Sequence, residues 1–290
     1  MRNSLQEEAE ALSAALPPLL VEAERLASAV SLGIHGRRKA GMGESFWQFR
    51  RYRQEDPSSA IDWRQSAKSQ HLFVREREWE VAQSVWFWRD GSAGMQFKSA
   101  KVSKRERASL LAMALAASLV RGGERVALFG DGHAPAGSRA ALRRMGLALG
   151  DGTQSAAALP PDAPVSRNAQ FVWLSDFLSP LAAIETVLRR MSQSGLGGHL
   201  VHIIDPAEED FPYSGRTRFQ APAEELQETL GRAETVAQAY RARFKAHAET
   251  VALLAGKLGW NYLAHRTDRS PQIALVALYA EMSGARRVRV

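Results

Sequence analysis

The sequence predicts an α/β protein with a doubly wound, mainly parallel sheet flanked by helices. Four short, continuous apolar runs are typical of strands buried on both faces, at residues 84–88, 125–129, 170–174 and 199–204. Helix-like segments separate these runs, and the connections between them are short. Because parallel strands are joined by crossovers, usually right-handed helical ones, this alternation favours a doubly wound sheet.

An N-terminal helix is predicted first, over residues 5–31, with an interruption at Pro17 and Pro18. Its leucines and alanines fall on one side, and glycines at 33, 36, 41 and 43 then end it in a basic loop. The arginine-rich block, residues 33–80, follows this helix and precedes the first predicted core strand. The predicted organisation is therefore a helix at 1–32, the block at 33–80, a core at 81–221 and a helical region at 222–290 that completes the domain.

The helices between and after the strands carry start or stop signals. Residues 101–121 have apolar side chains at helical spacing and end at two glycines, Gly122 and Gly123, as expected for a C-cap. Serine-proline pairs at 179–180 and 270–271 are typical of an N-cap followed by a first-turn proline. Residues 223–257 are predicted to form one long helix or two.

Composition limits the class of protein and its partners. The chain has 290 residues, 38 Lys+Arg against 31 Asp+Glu and a net charge of +7, a balance that favours acidic partners. It has no cysteine, which excludes disulfides and thiolate metal sites. No run of about eighteen apolar residues could span a bilayer, and residues 1–10 lack the basic start of a signal peptide. We therefore expect a cytoplasmic protein without a membrane span.

Acidic residues follow three of the apolar runs. Asp90, Asp176 and Asp205 each come directly or almost directly after a predicted strand, and Ser92 lies two residues beyond Asp90. Ligands of open parallel sheets bind beyond the carboxyl ends of the strands, so these oxygens could converge at one edge and hold Mg²⁺. Aspartate after a strand is also common as a turn residue or helix cap, and Asp205 before a proline is typical of a turn.

The arginine-rich block has two interpretations. Arginines at 50, 53, 64, 75 and 77 alternate with the aromatic residues at 52, 63, 73 and 79, a pattern that could stack bases and bind phosphates of a nucleic acid. Six acidic residues between positions 55 and 80 nearly balance this charge. Because Arg–carboxylate contacts are directional, the block is predicted mainly to form internal pairs that fix its shape, with partner recognition as the alternative.

Two motifs resemble those of the bacterial domain of unknown function 58 family. The first comprises Arg50, Tyr52, Asp56, Asp62, Trp63, Arg64, Arg75 and Glu76 with their neighbours, and the second is the run from Ile203 to Pro212 followed by Gly215 and Phe219. The block departs from the family pattern at Gln54-Glu55, where Pro-Gly is frequent, and at Ser59, where arginine is common. The resemblance assigns the eight residues of the first motif a structural or partner-binding role.

The resemblance implies a von Willebrand factor A-like fold with the block as a small accessory element before the first core strand. Proteins of this kind are commonly paired with MoxR-type AAA+ ATPases and are thought to be adaptors or co-chaperones that serve a client protein, not enzymes. A degenerate metal-ion-dependent adhesion-type site is implied as well. Asp90, Ser92 and Asp176 match its Mg²⁺ ligands, Thr153 is a shorter match, and Gly94 replaces the third hydroxyl of the Asp-x-Ser-x-Ser motif.

Catalytic motifs are missing from the sequence. It has no phosphate-binding loop of the Gly-x-x-x-x-Gly-Lys type and no Gly-x-Ser-x-Gly nucleophile elbow. His199 and His202 fall in or beside a predicted buried strand, where packing is a more frequent role than metal ligation. Together with the family resemblance, this predicts a non-enzymatic adaptor that acts by protein–protein interaction, with nucleic-acid binding as the alternative and a cation-dependent hydrolase as the least favoured function.

Overall fold

The computed structural model describes residues 18–34, 46–53, 56, 58–77, 82–150, 156–165, 168–220 and 227–284. Contacts divide the chain into a smaller unit, His35–Ala82, and a larger unit made of Met1–Ile34 and Gln83–Val290. The helices are α1 (Pro18–Ile34), α2 (Trp63–Ser66), α3 (Lys104–Arg121), α4 (Arg139–Gly150), α5 (Leu181–Gln193), α6 (Pro206–Asp210), α7 (Ala237–Lys257) and α8 (Pro271–Gly284). The strands are β1 (Phe46–Arg51), β2 (Phe73–Arg77), β3 (Ser84–Arg89), β4 (Arg125–Leu128), β5 (Gln170–Ser175), β6 (Gly197–Ile204), β7 (Thr217–Gln220), β8 (Gln227–Leu230) and β9 (Asn261–Arg266).

The larger unit is built on a sheet in the order β4-β3-β5-β6-β9. Every neighbouring pair in this sheet is parallel. The four predicted apolar runs are the four strands β3 to β6, as expected for strands covered on both faces. The structure thus confirms the predicted fold class, and the sheet is consistent with a von Willebrand factor A-like, doubly wound arrangement.

Alternate residues of the strands belong to two separate apolar layers, one on each face of the sheet. Phe87 and Leu174 point to the face covered by α1, α3, α4 and α8, whereas Trp88 and Trp173 point to the face covered by α5 and α7. Side chains of successive strand residues project to opposite faces, which explains this division. Burial of each large apolar side chain contributes about 1.5–3 kcal/mol, so the two layers hold the sheet between them.

The central helix α3 is buried along most of its length. Ser103 caps it through a capping box with Glu106, and every residue from 108 to 119 is buried. A helix that is apolar on all sides is expected to lie inside the protein, and α3 packs between the sheet and α1. The first residue of α3, Lys104, is consequently fixed at the carboxyl edge of the sheet.

A close backbone approach joins β5 and β6. Gly198 pairs with Phe171, and a Cβ atom at position 198 would lie 2.1 Å from the carbonyl oxygen of Phe171. Atoms cannot approach to that distance without a shift of the backbone. Glycine is therefore required at this position for the two strands to pair in this register.

The C-terminal part differs from the sequence prediction. Residues 227–230, predicted as helix, form β8, which pairs antiparallel with β7. Residues 261–266 form β9, an edge strand of the main sheet that the apolar pattern did not predict. The predicted N-terminal helix is described from Pro18 onward, and its part before that residue lies outside the described residues. Across the described ranges, no helix is long and apolar enough to cross a bilayer.

The smaller unit contains a short antiparallel hairpin of β1 and β2. Its connection includes the helix α2, which Asp62 caps by accepting a hydrogen bond from the Gln65 amide at 3.0 Å. Ser66 joins this turn to the hairpin, because its hydroxyl donates to the Asp62 carbonyl at 2.8 Å and accepts from the Phe73 amide at 2.9 Å. Short-range polar contacts thus fix the connection between the two strands.

Candidate functional site

Asp90 lies directly after β3, and both of its carboxylate oxygens accept hydrogen bonds from within the protein. Oδ1 accepts from the Ser92 amide at 2.8 Å, and Oδ2 accepts from the Ser175 hydroxyl at 2.6 Å. The side chain is buried, and burial, followed by the nearby Asp176 carboxylate, raises the pKa of Asp90. Asp90 therefore acts as an acceptor that shapes the loop after β3.

Asp176 lies after β5, the neighbour of β3 in the sheet. Parallel pairing brings the two strand ends together, and the Asp90 amide donates to the Leu174 carbonyl at 2.8 Å. Asp176 Oδ1 accepts from the Leu178 amide at 3.1 Å, and Oδ2 accepts from the Lys104 ammonium at 2.8 Å. The structure thus places both predicted aspartates at one edge and shows that Asp176 already has a cationic partner.

Lys104 is a residue of this edge that the sequence prediction missed. Its side chain is fully buried, and its Nζ contacts the carboxylates of both Asp176 and Glu208. Burial acts to lower the pKa of Lys104, but these two carboxylates raise it overall, so the side chain stays charged. A lysine in the first helical turn faces the positive end of the helix dipole, which favours a carboxylate partner, but this signal does not say which carboxylate.

Ser92 and Gly94 complete the loop after β3. Ser92 precedes a short 3-10 turn and makes no side-chain hydrogen bond to that turn, and both residues are only partly buried. A Cβ atom at Gly94 would lie 3.2 Å from Asp176 Oδ2. Glycine therefore leaves room beside the oxygen that receives the Lys104 ammonium.

Asp205 does not join this group of acids. It caps α6 by accepting from the Ala207 amide at 2.9 Å, and its carboxylate also accepts from the amide and hydroxyl of Ser99. Its oxygens are therefore engaged with backbone and serine groups. The turn-and-cap interpretation holds for Asp205, and its role is to anchor the loop before α3 to the start of α6, which also carries Glu208.

The two histidines of β6 are packing residues. His202 is buried, its Nδ1 lies 2.6 Å from the Tyr262 hydroxyl, and burial lowers its pKa to about 4. His199 lies 3.4 Å from the Glu281 carboxylate and is also buried, which lowers its pKa. Within the described ranges, neither ring contacts a second metal-ligating side chain, and no three His, Asp or Glu residues are placed to hold a metal ion.

The residues of the first motif lie in the smaller unit. Asp62 caps α2, Asp56 Oδ2 accepts from the Arg53 amide at 2.8 Å, and the Tyr52 amide donates to the Leu72 carbonyl at 2.8 Å. Trp63 is 65% exposed, and Arg64 beside it is exposed as well. Tyr52 and the two aspartates thus have roles in the local fold, whereas Trp63 and Arg64 face outward.

Other predicted site residues can be placed only in part. Arg50 lies in β1 opposite Val74, and Arg75 and Glu76 lie in β2 opposite Phe49 and Gln48. Their side chains are outside what the structure describes, so the predicted internal Arg–carboxylate pairs remain a prediction. Thr153, the shorter match to a metal ligand, lies outside the described residues.

A family model described as "Protein of unknown function DUF58" matches residues 48–251. No curated protein matches the chain in a sequence comparison. Among solved structures, the conserved hypothetical protein BatB from Bacteroides thetaiotaomicron is 15% identical, with 70% of this chain and 100% of that chain covered and a TM-score of 0.42. An aerotolerance-related membrane protein from Bacteroides fragilis is 16% identical, with the same coverage and a TM-score of 0.42.

Proposed function

The chain belongs to the DUF58 family of proteins of unknown function, and from this premise we propose that it is a non-enzymatic adaptor that binds a partner protein at the carboxyl edge of its parallel sheet. The partner we propose is a MoxR-type AAA+ ATPase, which the resemblance of the two sequence motifs implies. The net charge of +7 suits an acidic surface on such a partner. The adaptor would bring a client protein to the ATPase.

Two exposed apolar side chains beside the acidic edge are the observation that carries this proposal. Leu178 is 50% exposed and donates its amide to Asp176, and Phe97 is 37% exposed with its ring centroid 6.0 Å from the Lys104 ammonium. Large apolar side chains next to a fixed polar network are typical of the centre of a protein interface. Phe97 and Leu178 are therefore the proposed anchors.

The state of the carboxylates supports binding more than catalysis. Asp90 accepts two internal hydrogen bonds and Asp176 accepts an amide and an ammonium, so each of their four oxygens already has a partner within the protein. In the sequence, no histidine lies within twenty positions of Ser92 to activate its hydroxyl. A rigid edge of this kind would hold the two anchors in place without contributing chemistry.

The proposal is tested by measuring the affinity of the purified protein for a MoxR-type ATPase encoded in the same genome. Exchanging Phe97 and Leu178 for alanine should weaken binding by more than tenfold, because loss of a buried anchor costs about 2 kcal/mol or more. Leu253→Ala is the matched control, since Leu253 is 64% exposed on α7. Failure of the wild-type protein to bind any such ATPase, or equal binding by the double variant, would contradict the proposal.

Nucleic-acid binding by the smaller unit is a second candidate, and the exposure of Trp63 beside Arg64 favours it. An exposed indole can stack on a base, and such a contact is worth about 1–3 kcal/mol. Retention on single-stranded DNA or RNA should then fall with salt concentration, and Trp63→Ala should reduce it. Binding that is absent at low salt, or unchanged in Trp63→Ala, would remove this candidate.

A further inference from the structure

The carboxyl edge resembles a metal site in its acids but already contains a cation. Lys104 Nζ lies 2.8 Å from Asp176 Oδ2 and also contacts a Glu208 oxygen. Its side chain is fully buried, and those of Asp176 and Glu208 are only 6% and 13% exposed. One ammonium is therefore shared by two carboxylates in a place that is almost closed to solvent.

The fold fixes the ammonium in this place from several sides. The Ser103 capping box sets the start of α3, and the Lys104 amide donates to the Phe97 carbonyl at 3.3 Å. Asp205 binds Ser99 from the start of α6, the same short helix that carries Glu208. Lys104 thus has no need of solvent or of a partner protein to satisfy its charge.

The glycine at position 94 is a second, independent observation. A metal site of the adhesion type would carry a hydroxyl here, and a Cβ at this position would lie 3.2 Å from Asp176 Oδ2. That oxygen is the one that accepts the hydrogen bond from Lys104. The position that lacks the hydroxyl and the Lys104 ammonium therefore both lie next to the same oxygen, Asp176 Oδ2.

The ammonium on Asp176 and the missing hydroxyl at position 94 are what keep a divalent ion from this edge. Both Asp90 oxygens accept internal hydrogen bonds, Asp176 Oδ1 accepts from the Leu178 amide, and Ser92 supplies one neutral hydroxyl. Mg²⁺ requires several oxygen ligands in near-octahedral geometry, and a second cation beside a buried ammonium would be repelled. Among the residues that the structure describes, the side chains of this edge are arranged for the lysine and not for the metal ion.

We propose that the Lys104 ammonium is the permanent cation of this edge and takes the place of the divalent ion that the Asp90 and Ser92 motif would otherwise bind. The edge is then always in its charged, ordered state, independently of divalent cation concentration. This inference concerns the edge itself and holds whether or not the edge binds an ATPase. If the edge does bind a protein, that contact is insensitive to chelators.

The test is a calorimetric titration of the full chain with Mn²⁺ and with Mg²⁺. The wild-type protein should show no saturable binding at millimolar metal, and its melting temperature should be the same in EDTA and in Mg²⁺, because a ligand of the native state would raise it. Saturable binding of one ion by the wild type that disappears in Asp176→Asn would overturn the proposal. This arm requires only the native chain and one conservative variant.

The second arm restores the metal ligands. A Lys104→Gln/Gly94→Ser variant removes the ammonium and returns the third hydroxyl, so it should bind one Mn²⁺ at least tenfold more tightly than the wild type. Addition of Asp176→Asn should abolish that binding. A folded double variant, as judged by circular dichroism, that binds no more Mn²⁺ than the wild type would contradict the inference that Lys104 occupies the position of the ion.

Discussion

Replacing Lys104 by methionine keeps the length of the side chain but removes the ammonium, so Asp176 and Glu208 remain as buried carboxylates without a countercharge. Removing one partner of a buried ion pair typically costs about 3–5 kcal/mol of unfolding free energy. Water can solvate these two unpaired carboxylates only slightly, because their side chains are only 6% and 13% exposed. We therefore expect a loss of about 4 kcal/mol, or a fall in melting temperature of about 10 °C for a protein of this size.

The assay is urea unfolding at neutral pH, followed by the fluorescence of the buried tryptophans. The control is the triple variant Lys104→Met/Asp176→Asn/Glu208→Gln, in which no charge remains. Replacing all members of a buried ionic group is often neutral or stabilising, so this variant should recover most of the lost free energy. A loss below about 1 kcal/mol in Lys104→Met, or a triple variant as unstable as the single one, would refute the role of the pair.

Two further predictions concern the sheet and its histidine. Gly198→Ala should destabilise the protein by more than about 3 kcal/mol, because the new Cβ would lie 2.1 Å from the backbone of β5. Gly197→Ala is the control, and it should change the urea midpoint much less, because its Cβ would have no atom closer than 3.8 Å. Equal effects of the two substitutions would contradict the close approach of the strands. Burial lowers the pKa of His202 from about 6.5 in the unfolded chain to about 4 in the folded one. Its contribution to the free energy of unfolding is therefore complete above pH 6.5 and is lost as the pH falls toward 4. The unfolding free energy should therefore drop by about 2 kcal/mol per such histidine between about pH 7 and pH 4.5. In His202→Gln this drop should be smaller by about 2 kcal/mol, while His265, whose pKa is lowered in the same way, still contributes its own share. An unchanged pH dependence of the unfolding free energy would show that His202 is not buried in its neutral form.

The apolar pattern predicted β3 to β6 because these strands are covered on both faces and must be continuously hydrophobic. It failed for β9, whose residues are mostly half-buried or exposed at the edge of the sheet and include Asn261 and Arg266. β8 was predicted as helix for a similar reason, since it is largely exposed and its pairing with β7 is not visible in local periodicity. Edge strands depend on their neighbours more than on their own composition.

The candidate site, like the sheet, was predictable from the sequence only in part. Asp90 and Asp176 could be placed because a residue that follows a parallel strand must lie at the carboxyl edge. Lys104 could not, because its contact with Asp176 spans 72 positions and depends on where α3 begins. The role of Ser175, which links Asp90 to the Phe177 amide, was also missed, since one serine before an aspartate carries no pattern of its own.

The position of β9 in the chain has a consequence for synthesis on the ribosome. Asn261–Arg266 completes the sheet beside β6, and α8 then covers the layer formed by α1 and α3. A nascent chain that ends before these elements exposes the edge of β6 and the apolar sides of two earlier helices. The larger unit therefore reaches its closed state only after β9 and α8 have been made, and until then its unpaired strand edge and apolar surface favour aggregation.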